Sequence, residues 1–437
     1  MSDSTENYRA RFARRSHRGG RAVAMTATLL ASALIVTGLA STSGASTTRA
    51  RTTHAATVTI TLGYAGGANV DPYYNNVIAA AEKQLPGIKV AQVVYATYDD
   101  QLNEMPTQIA AGTIPDIIVW DNSAPVTQYA REGAILNVSS YVTQDNVNLS
   151  VDPAALVNAW SYNGGLYGVP LYLQDSGFVY NLGMLKAAGI ATLPTTMAQV
   201  RADAEHVYQK TGKAGLTILD NLFHLTQYIL AFGGSWNYGK TINSPQNVAG
   251  LQFLVNMFVV DHSAILPDKV GASWDGQALA ENDAAMSDGG PWYIGFMKAT
   301  APDVQYELAP IPTSTGKQFV VTYGGAYSIT KHSPDPTADM RLIKVLTDAW
   351  AEKYIAEDTA FGFVPAMTKY ISLYRQRTPK YDLITNAVLA SGFTLDYPPA
   401  TIQFGNALVA GFENIILNHT GTVQALLNTL QKQYGTQ

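Results

Sequence analysis

"PDIIVW", residues 115–120, decides how this 437-residue chain folds. After Asp116 the run is apolar without alternation, the pattern of a strand buried on both faces, as in a parallel sheet. Upstream, "TVTITLGY" (57–64) is β-branched and alternating, and "GIKVAQVVY" (87–95) reads as a second strand. Between these two, Asp71-Pro72 opens a helix carrying Val77, Ile78, Ala81 and Leu85 on one face. A helix over roughly 98–111, ended by Gly112 and kinked at Pro106, links the second strand to the third. Strand, helix, strand, helix, strand implies an open α/β sheet with helices on both sides. Ligands of such sheets sit outside the carboxyl ends of the strands, so Tyr64 and the Trp120-Asp121-Asn122 corner are expected at a mouth. Trp120 also fits a core tryptophan, and Asp121 also fits the cap of a helix from Ser123.

The texture changes after residue 152. "WSYNGGLYGVPLYLQDSGFVYN" (160–181) holds an Asn-Gly-Gly turn and a long extended run. Helices are expected near 182–188, 196–210, 222–232, 245–261, 275–282, 334–357, 379–390, 401–418 and 421–434. Strands are expected at 215–219, 284–287, 304–311 and 323–330. Helix 401–418 places Phe404, Leu408, Phe412 and Ile415 on one stripe. Three extended passages, 168–178, 309–328 and 361–366, join segments of different α/β units. If the chain crosses between two lobes at each, both lobes are discontinuous and the passages form a hinge. The length agrees, since 437 residues exceed one ordinary core.

Composition excludes several functions. The first 56 residues hold eight arginines against Asp3 and Glu6, leaving 20 of the 28 basic and 31 of the 33 acidic residues to the remainder, a net of −11. Such a body is a poor partner for nucleic acid. There is no cysteine, so disulfides, thiolate metal sites and cysteine nucleophiles are absent. The seven histidines show no metal-ligand spacing, and neither metal nor cofactor is expected. Six arginines precede the uncharged "AVAMTATLLASALIVTGLA" (22–40), and small residues follow, with "SGA" ending at Ala45. This is the pattern of a secretory signal peptide, residues 1–56 forming leader and linker; an uncleaved membrane anchor is the alternative.

"AAMSDGGPWYIGFM" (284–297) runs a small apolar strand into a glycine-proline corner that delivers Trp292. Glycines permit the tight turn, proline sets the next helix, and the indole is held without a flexible lever. Trp292 is either a core ring or the floor of a ligand site. Gln174 and Asp175 lie in the first extended passage. Trp274-Asp275 opens a helix and either lines a cleft or caps at the surface.

With "QIAAGTIPDIIVW" (108–120), "YNGGLYGVPLYLQDSGFVYNLGMLKAAGI" (162–190), "AAMSDGGPWYIG" (284–295), "YELAPIPT" with "GGAYSIT" (306–330) and "FVPA" (363–366), in that order, the chain resembles family 1 extracellular solute-binding proteins of the maltose-binding type. The resemblance covers nearly everything after residue 57. It implies a type II periplasmic-binding-protein-like fold: two lobes, each an α/β sheet, joined by three hinge crossings. Residues 57–172 with 326–363 would form lobe 1, and 173–325 with 364–437 lobe 2. It implies an uncharged sugar bound between the lobes and passed to the permease subunits of an ABC transporter, by a monomer outside the cytoplasm. Matched by position, the ligand-binding residues would be Trp292, Trp120 with Asp121 and Asn122, Gln174 with Asp175, Gly324, Gly325 and Phe404; Tyr64 and Trp274 join them from the reading of the elements. Two departures stand out. Ser41 occupies the place where many relatives carry a lipidated cysteine, and "ILDNLFHLTQY" (218–228) matches only loosely, so no residue is assigned there.

Two rival functions remain at this stage. A secreted carbohydrate-active enzyme would need a carboxylate pair, and Asp116, Asp121, Asp175 and Asp288 are available, but no catalytic motif frames them. A binding protein for a non-sugar solute, such as a polyamine or a phosphorylated polyol, would need a charge cluster near the mouth.

Overall fold

The computed structural model describes residues 57–436 except 318, 359 and 382–394. Its strands are β1 (Val58–Ala65), β2 (Ile88–Tyr95), β3 (Ile117–Trp120), β4 (Ser161–Tyr162), β5 (Gly165–Leu166), β6 (Val169–Asn181), β7 (Ala214–Thr217), β8 (Ala264–Ile265), β9 (Ala284–Gly289), β10 (Tyr306–Ala309), β11 (Val321–Ile329) and β12 (Val364–Pro365). Among the described residues, ten of them form one sheet along the path β2-β1-β3-β11-β6-β9-β7-β8, with β10 and β12 paired to β6 off that path. The β1–β2 and β1–β3 pairs are parallel, as the apolar "IIVW" run requires, and so are β7–β8 and β7–β9. These two parallel groups are the sheets of two lobes. The fold is α/β and two-lobed.

The long strand β6 joins them. All thirteen of its residues are buried. Its first half pairs antiparallel with β11, Tyr327 opposite Val169 through Val321 opposite Ser176. Its second half pairs with β9 on one side and β10 on the other. At Tyr172 and Leu173 it meets both Gly325 and Gly324 of β11 and Pro365 and Val364 of β12. The three extended passages expected from the sequence therefore lie side by side at one level.

Each lobe has its own core. One gathers Ile60, Leu62, Ile117, Val119, Val77 and Leu342 around β1 and β3; the other gathers Leu216, Met286, Leu225, Leu254, Phe404 and Leu427 around β7 and β9. A third cluster, including Leu173, Val179, Tyr293, Leu308 and Val364, fills the crossing. Trp292 packs against all three. Helices begin where side chains satisfy free backbone N–H groups. Thr196 and Gln199 form a capping box, and Asn221 caps Leu222–Ala231 through the His224 N–H at 3.0 Å.

The helices depart from expectation in several places, among them Ser139–Gln144 and Ala154–Ala159, where none was expected. The single helix expected over 334–357 is two, Pro336–Leu346 and Ala349–Glu357, because Asp348 is extended and its carboxylate accepts from the Trp350 and Ala351 N–H groups, starting a new helix. The helix Tyr98–Ala111 has the expected bounds, ends at Gly112 and holds Pro106 inside it. Thr368–Arg377 is helical although the sequence signalled nothing there; its apolar positions are sparse, with Tyr374 its one fully buried residue. The helix expected over 379–390 opens as a 3-10 turn, Pro379–Tyr381, and otherwise lies outside the described residues. So does the signal-like segment. Among the described residues no helix is long and apolar enough to cross a membrane.

Candidate functional site

A cavity of about 460 Å³ opens between the two parallel groups, at the carboxyl ends of β1 and β3. That is the size range of small-molecule sites, about 300–1,000 Å³. Six of the eleven residues singled out from the sequence line it: Trp292, Asp121, Asn122, Gln174, Tyr64 and Trp274.

Trp292 is half-buried, with Phe223 and Tyr323 each 6.3 Å away, centroid to centroid, and edge-on. The corner before it explains its pose. A Cβ at Gly290 would lie 2.0 Å from the indole and 2.5 Å from the Asp175 carbonyl oxygen, and one at Gly289 would lie 2.5 Å from the Tyr293 ring. Only glycine lets the indole fold back over its own turn. Trp274 repeats the device over Gly276, where a Cβ would stand 2.0 Å from the ring. It packs edge-on against Phe296 and Tyr293 at 4.7 and 5.1 Å.

The facing wall is polar and aromatic. The Tyr64 hydroxyl donates to Gln92 at 2.7 Å, and its ring lies 4.0 Å from that of Tyr74. Asp121 accepts from the Tyr172 hydroxyl at 2.8 Å; burial pushes its carboxyl up to about 6 against the lowering effect of that bond. It caps no helix, because the next helix starts at Val126 behind Pro125. Asn122 turns its carbonyl oxygen onto the Ala124 N–H at 3.1 Å. Gln174 comes from β6 and is 4% exposed. Among the described residues, no Lys or Arg lines the cavity.

Five expected residues are not brought there. Trp120 is fully buried in the first core, 5.5 Å from the Tyr129 ring, because the last residue of β3 still points into the lobe. Phe404 is fully buried in the second core, edge-on to Trp236 at 4.9 Å. Gly324 and Gly325 serve the crossing: a Cβ at Gly324 would lie 2.2 Å from the Tyr172 carbonyl oxygen, and one at Gly325 2.3 Å from the Tyr172 ring. Asp175 is fully buried in β6, opposite Thr322 of β11, and lines no part of the cavity. Asp116 is likewise structural, accepting from the Thr61 N–H and hydroxyl at 2.7 and 2.8 Å.

The sequence reading left 218–228, where the resemblance implies further contacts from the second lobe, without an assigned residue; the structure brings Leu219, Asn221, Phe223 and His224 of that segment to the cavity. The Asn221 amide donates to Asp99 Oδ2 at 3.2 Å, joining a helix of one lobe to a helix start of the other. Burial raises the Asp99 carboxyl, opposed by that bond and by His224. His224 Nδ1 lies 2.6 Å from Asp288 Oδ2, both groups buried. Burial alone would push the imidazole down, but Asp288, Asp275 and Asp99 outweigh it and lift it to about 9. At neutral pH the ring is an imidazolium that donates to Asp288. The cap signal at Asn221, with an aromatic two residues on, could have flagged this segment.

Residues 76–381 match the model of a family described as bacterial extracellular solute-binding protein. This chain belongs to that family. The solute-binding protein shares 24% identity over 298 residues with the maltodextrin-binding protein MdxE of Bacillus subtilis, covering 62% of this chain and 64% of that one. With a binding protein of Brucella abortus it shares 22% over 366 residues, covering 80% and 83%. Its fold matches an ABC substrate-binding protein of Listeria monocytogenes, solved in complex with cycloalternan, at a TM-score of 0.77 and 20% identity, covering 86% of this chain and 98% of that one. The family and these relatives are binding proteins, and the family's work lies outside the cytoplasm.

Proposed function

We propose that this solute-binding protein holds an uncharged carbohydrate between its lobes and delivers it to the permease of an ABC transporter. The observation that carries the reading is the make-up of the cavity. A half-buried indole, placed by a glycine corner, faces carboxylates and amides from the opposite lobe, with no Lys or Arg among the described lining residues. An aromatic plane covers the C–H face of a sugar, while carboxylates and amides take its hydroxyls. A phosphorylated solute would meet the Asp99 and Asp121 carboxylates, with the His224 imidazolium, already paired with Asp288, as the one cationic side chain among the described lining residues. A relative named for maltodextrin binding and a neighbour solved with cycloalternan support the same reading.

Trp292, Trp274, Asp121, Asn122, Gln174 and Tyr64 are the proposed contacts, with Asn221, Phe223 and His224 added from the second lobe. Residues 57–172 with 326–363 form lobe 1, and 173–325 with 364–437 lobe 2, so the strands meeting at Tyr172 and Leu173 act as the hinge. Ligand favours the closed arrangement by touching both lobes. The protein acts as a monomer after export directed by its N-terminal segment, without a lipidated cysteine. It performs no chemistry on the sugar: of the four carboxylates weighed for catalysis, Asp116, Asp175 and Asp288 are held in the structure and only Asp121 faces the cavity, where it is engaged by Tyr172 and its neighbour Asp99 by Asn221.

A thermal-shift screen over mono- and oligosaccharides tests this. A sugar at about 100 times Kd stabilises by roughly 2.7 kcal/mol and raises the melting temperature. Release of product from the same sugars would establish an enzyme instead. A screen without any shift would remove the carbohydrate.

A further inference from the structure

We infer that His224 is a specificity-determining residue of the cavity, a hydrogen-bond donor locked in one protonation state that selects a ligand oxygen able to accept. The inference rests on the proposed carbohydrate site and deepens it.

The helix Leu222–Ala231 begins at the cavity, and its cap fixes the backbone of His224, whose N–H donates to Asn221. The side chain is only 8% exposed. One ring nitrogen, Nδ1, is engaged by Asp288 at the end of β9. No described residue partners the other, Nε2, and the ring lines the cavity beside Phe223, its neighbour in the edge-on contact with Trp292. Nε2 is not sealed inside the protein, and the open space before it is where a ligand sits.

Chemistry decides which ligand atom fits. A neutral imidazole donates from one nitrogen and accepts at the other, whereas an imidazolium donates from both. The groups acting on the ring are Asp288 at 2.6 Å, Asp275 behind it and Asp99 across the cleft; Tyr228, one turn along the same helix, lies near Asp288 and Asp275. Asp275 is itself fully buried and held by the Ser287 hydroxyl at 2.8 Å and by the Tyr293 hydroxyl. Three carboxylates around one ring favour its charged form, so Nε2 carries a proton. The matching ligand atom is a hydroxyl oxygen of a neutral sugar. Asp99 and Asp121 disfavour an anion there, and the imidazolium repels an ammonium. Asp288 is the positioning residue: it touches no ligand and acts by keeping the proton on His224.

Calorimetric titration with maltotriose and mannotriose from pH 6 to 9.5 tests the assignment. Affinity should hold steady to about pH 8 and fall about tenfold or more above pH 9, when Nε2 turns from donor to acceptor. His224→Gln keeps a neutral donor and should bind without that pH dependence, whereas His224→Leu should lose about tenfold or more at pH 7. Asp288→Asn should move the fall in affinity down toward the ordinary histidine range, about 6.5. Circular dichroism of each variant confirms folding. A flat pH profile together with wild-type affinity in His224→Leu overturns the proposal and leaves the carbohydrate reading standing. If the wild type binds neither sugar, that reading loses support, and NMR titration of the ligand-free protein decides the present one. A His224 ring still doubly protonated at pH 8 upholds it; a ring neutral below pH 7 overturns it.

Discussion

Trp292 is the side chain on which sequence pattern, packing and site converge. It starts the helix Trp292–Thr300, touches all three hydrophobic clusters and stays half-exposed because the turn before it has no Cβ to push it away. Trp292→Ala should weaken sugar binding by roughly 1–3 kcal/mol, as for a binding anchor, with the fold retained. Calorimetry and circular dichroism check both halves of that expectation. Unchanged affinity, or outright unfolding, would return the indole to a packing role. His224 supports a second prediction, on stability. Its folded pKa, about 9, lies above the unfolded value of about 6.5. The contribution is therefore complete below pH 6.5 and is lost as pH rises through 9. The melting temperature should fall across that window, and less so in His224→Gln. A wild-type curve flat from pH 6.5 to 9, or one that His224→Gln copies, would refute the ion pair.

At the scale of elements, the helix Thr401–Asn418 separates packing from function. Phe404 sits in the predicted apolar stripe, but the stripe faces the second core, where the ring is fully buried beside Trp236 and Tyr434. Phe404→Ala should cost about 3–5 kcal/mol of stability, as for large-to-small changes in a core. Sugar affinity, measured where the variant is still folded, should stay within twofold; a larger loss would restore Phe404 to the site. The same distinction marks how far the sequence could be read. Uninterrupted apolar runs such as "IIVW" made the parallel strands legible, and three extended passages made the crossings legible. Whether Trp120 faces cavity or core depends on one residue of register at a strand end, which composition does not fix. The break at Asp348 was hidden because apolar spacing continues across it. His224 was hidden because its partner Asp288 is 64 residues away, and only the pairing of β9 with β6 and β7 places that carboxylate beneath the helix start.

For the whole molecule the telling contacts are those that hold the lobes together without ligand. Asn221 donates to Asp99 at the inner edge of the cavity. Farther out, the Gln128 side chain accepts from the Ile402 N–H at 3.3 Å, and Arg131 donates to the Pro399 carbonyl oxygen at 3.1 Å. Between the inner and outer bridges lies a second space of about 400 Å³, walled by Leu102, Pro125, Leu222 and Val409. Closure thus rests on a few polar bonds around poorly filled volume, an arrangement from which opening costs little. A hydrogen bond to a charged group contributes about 1.5–3 kcal/mol. Asp99→Ala removes the inner bridge and leaves the Asn221 cap on His224 intact. The ligand-free variant should populate the open form at least about tenfold more than the wild type, because about 1.4 kcal/mol is a factor of ten. Small-angle scattering would record this as a larger radius of gyration in Asp99→Ala without sugar, returning toward the wild-type value at saturation. Affinity should weaken in step, since part of the binding energy then goes into drawing the lobes together. Equal radii with and without the Asp99 carboxylate would mean that the hinge strands alone set the angle between the lobes.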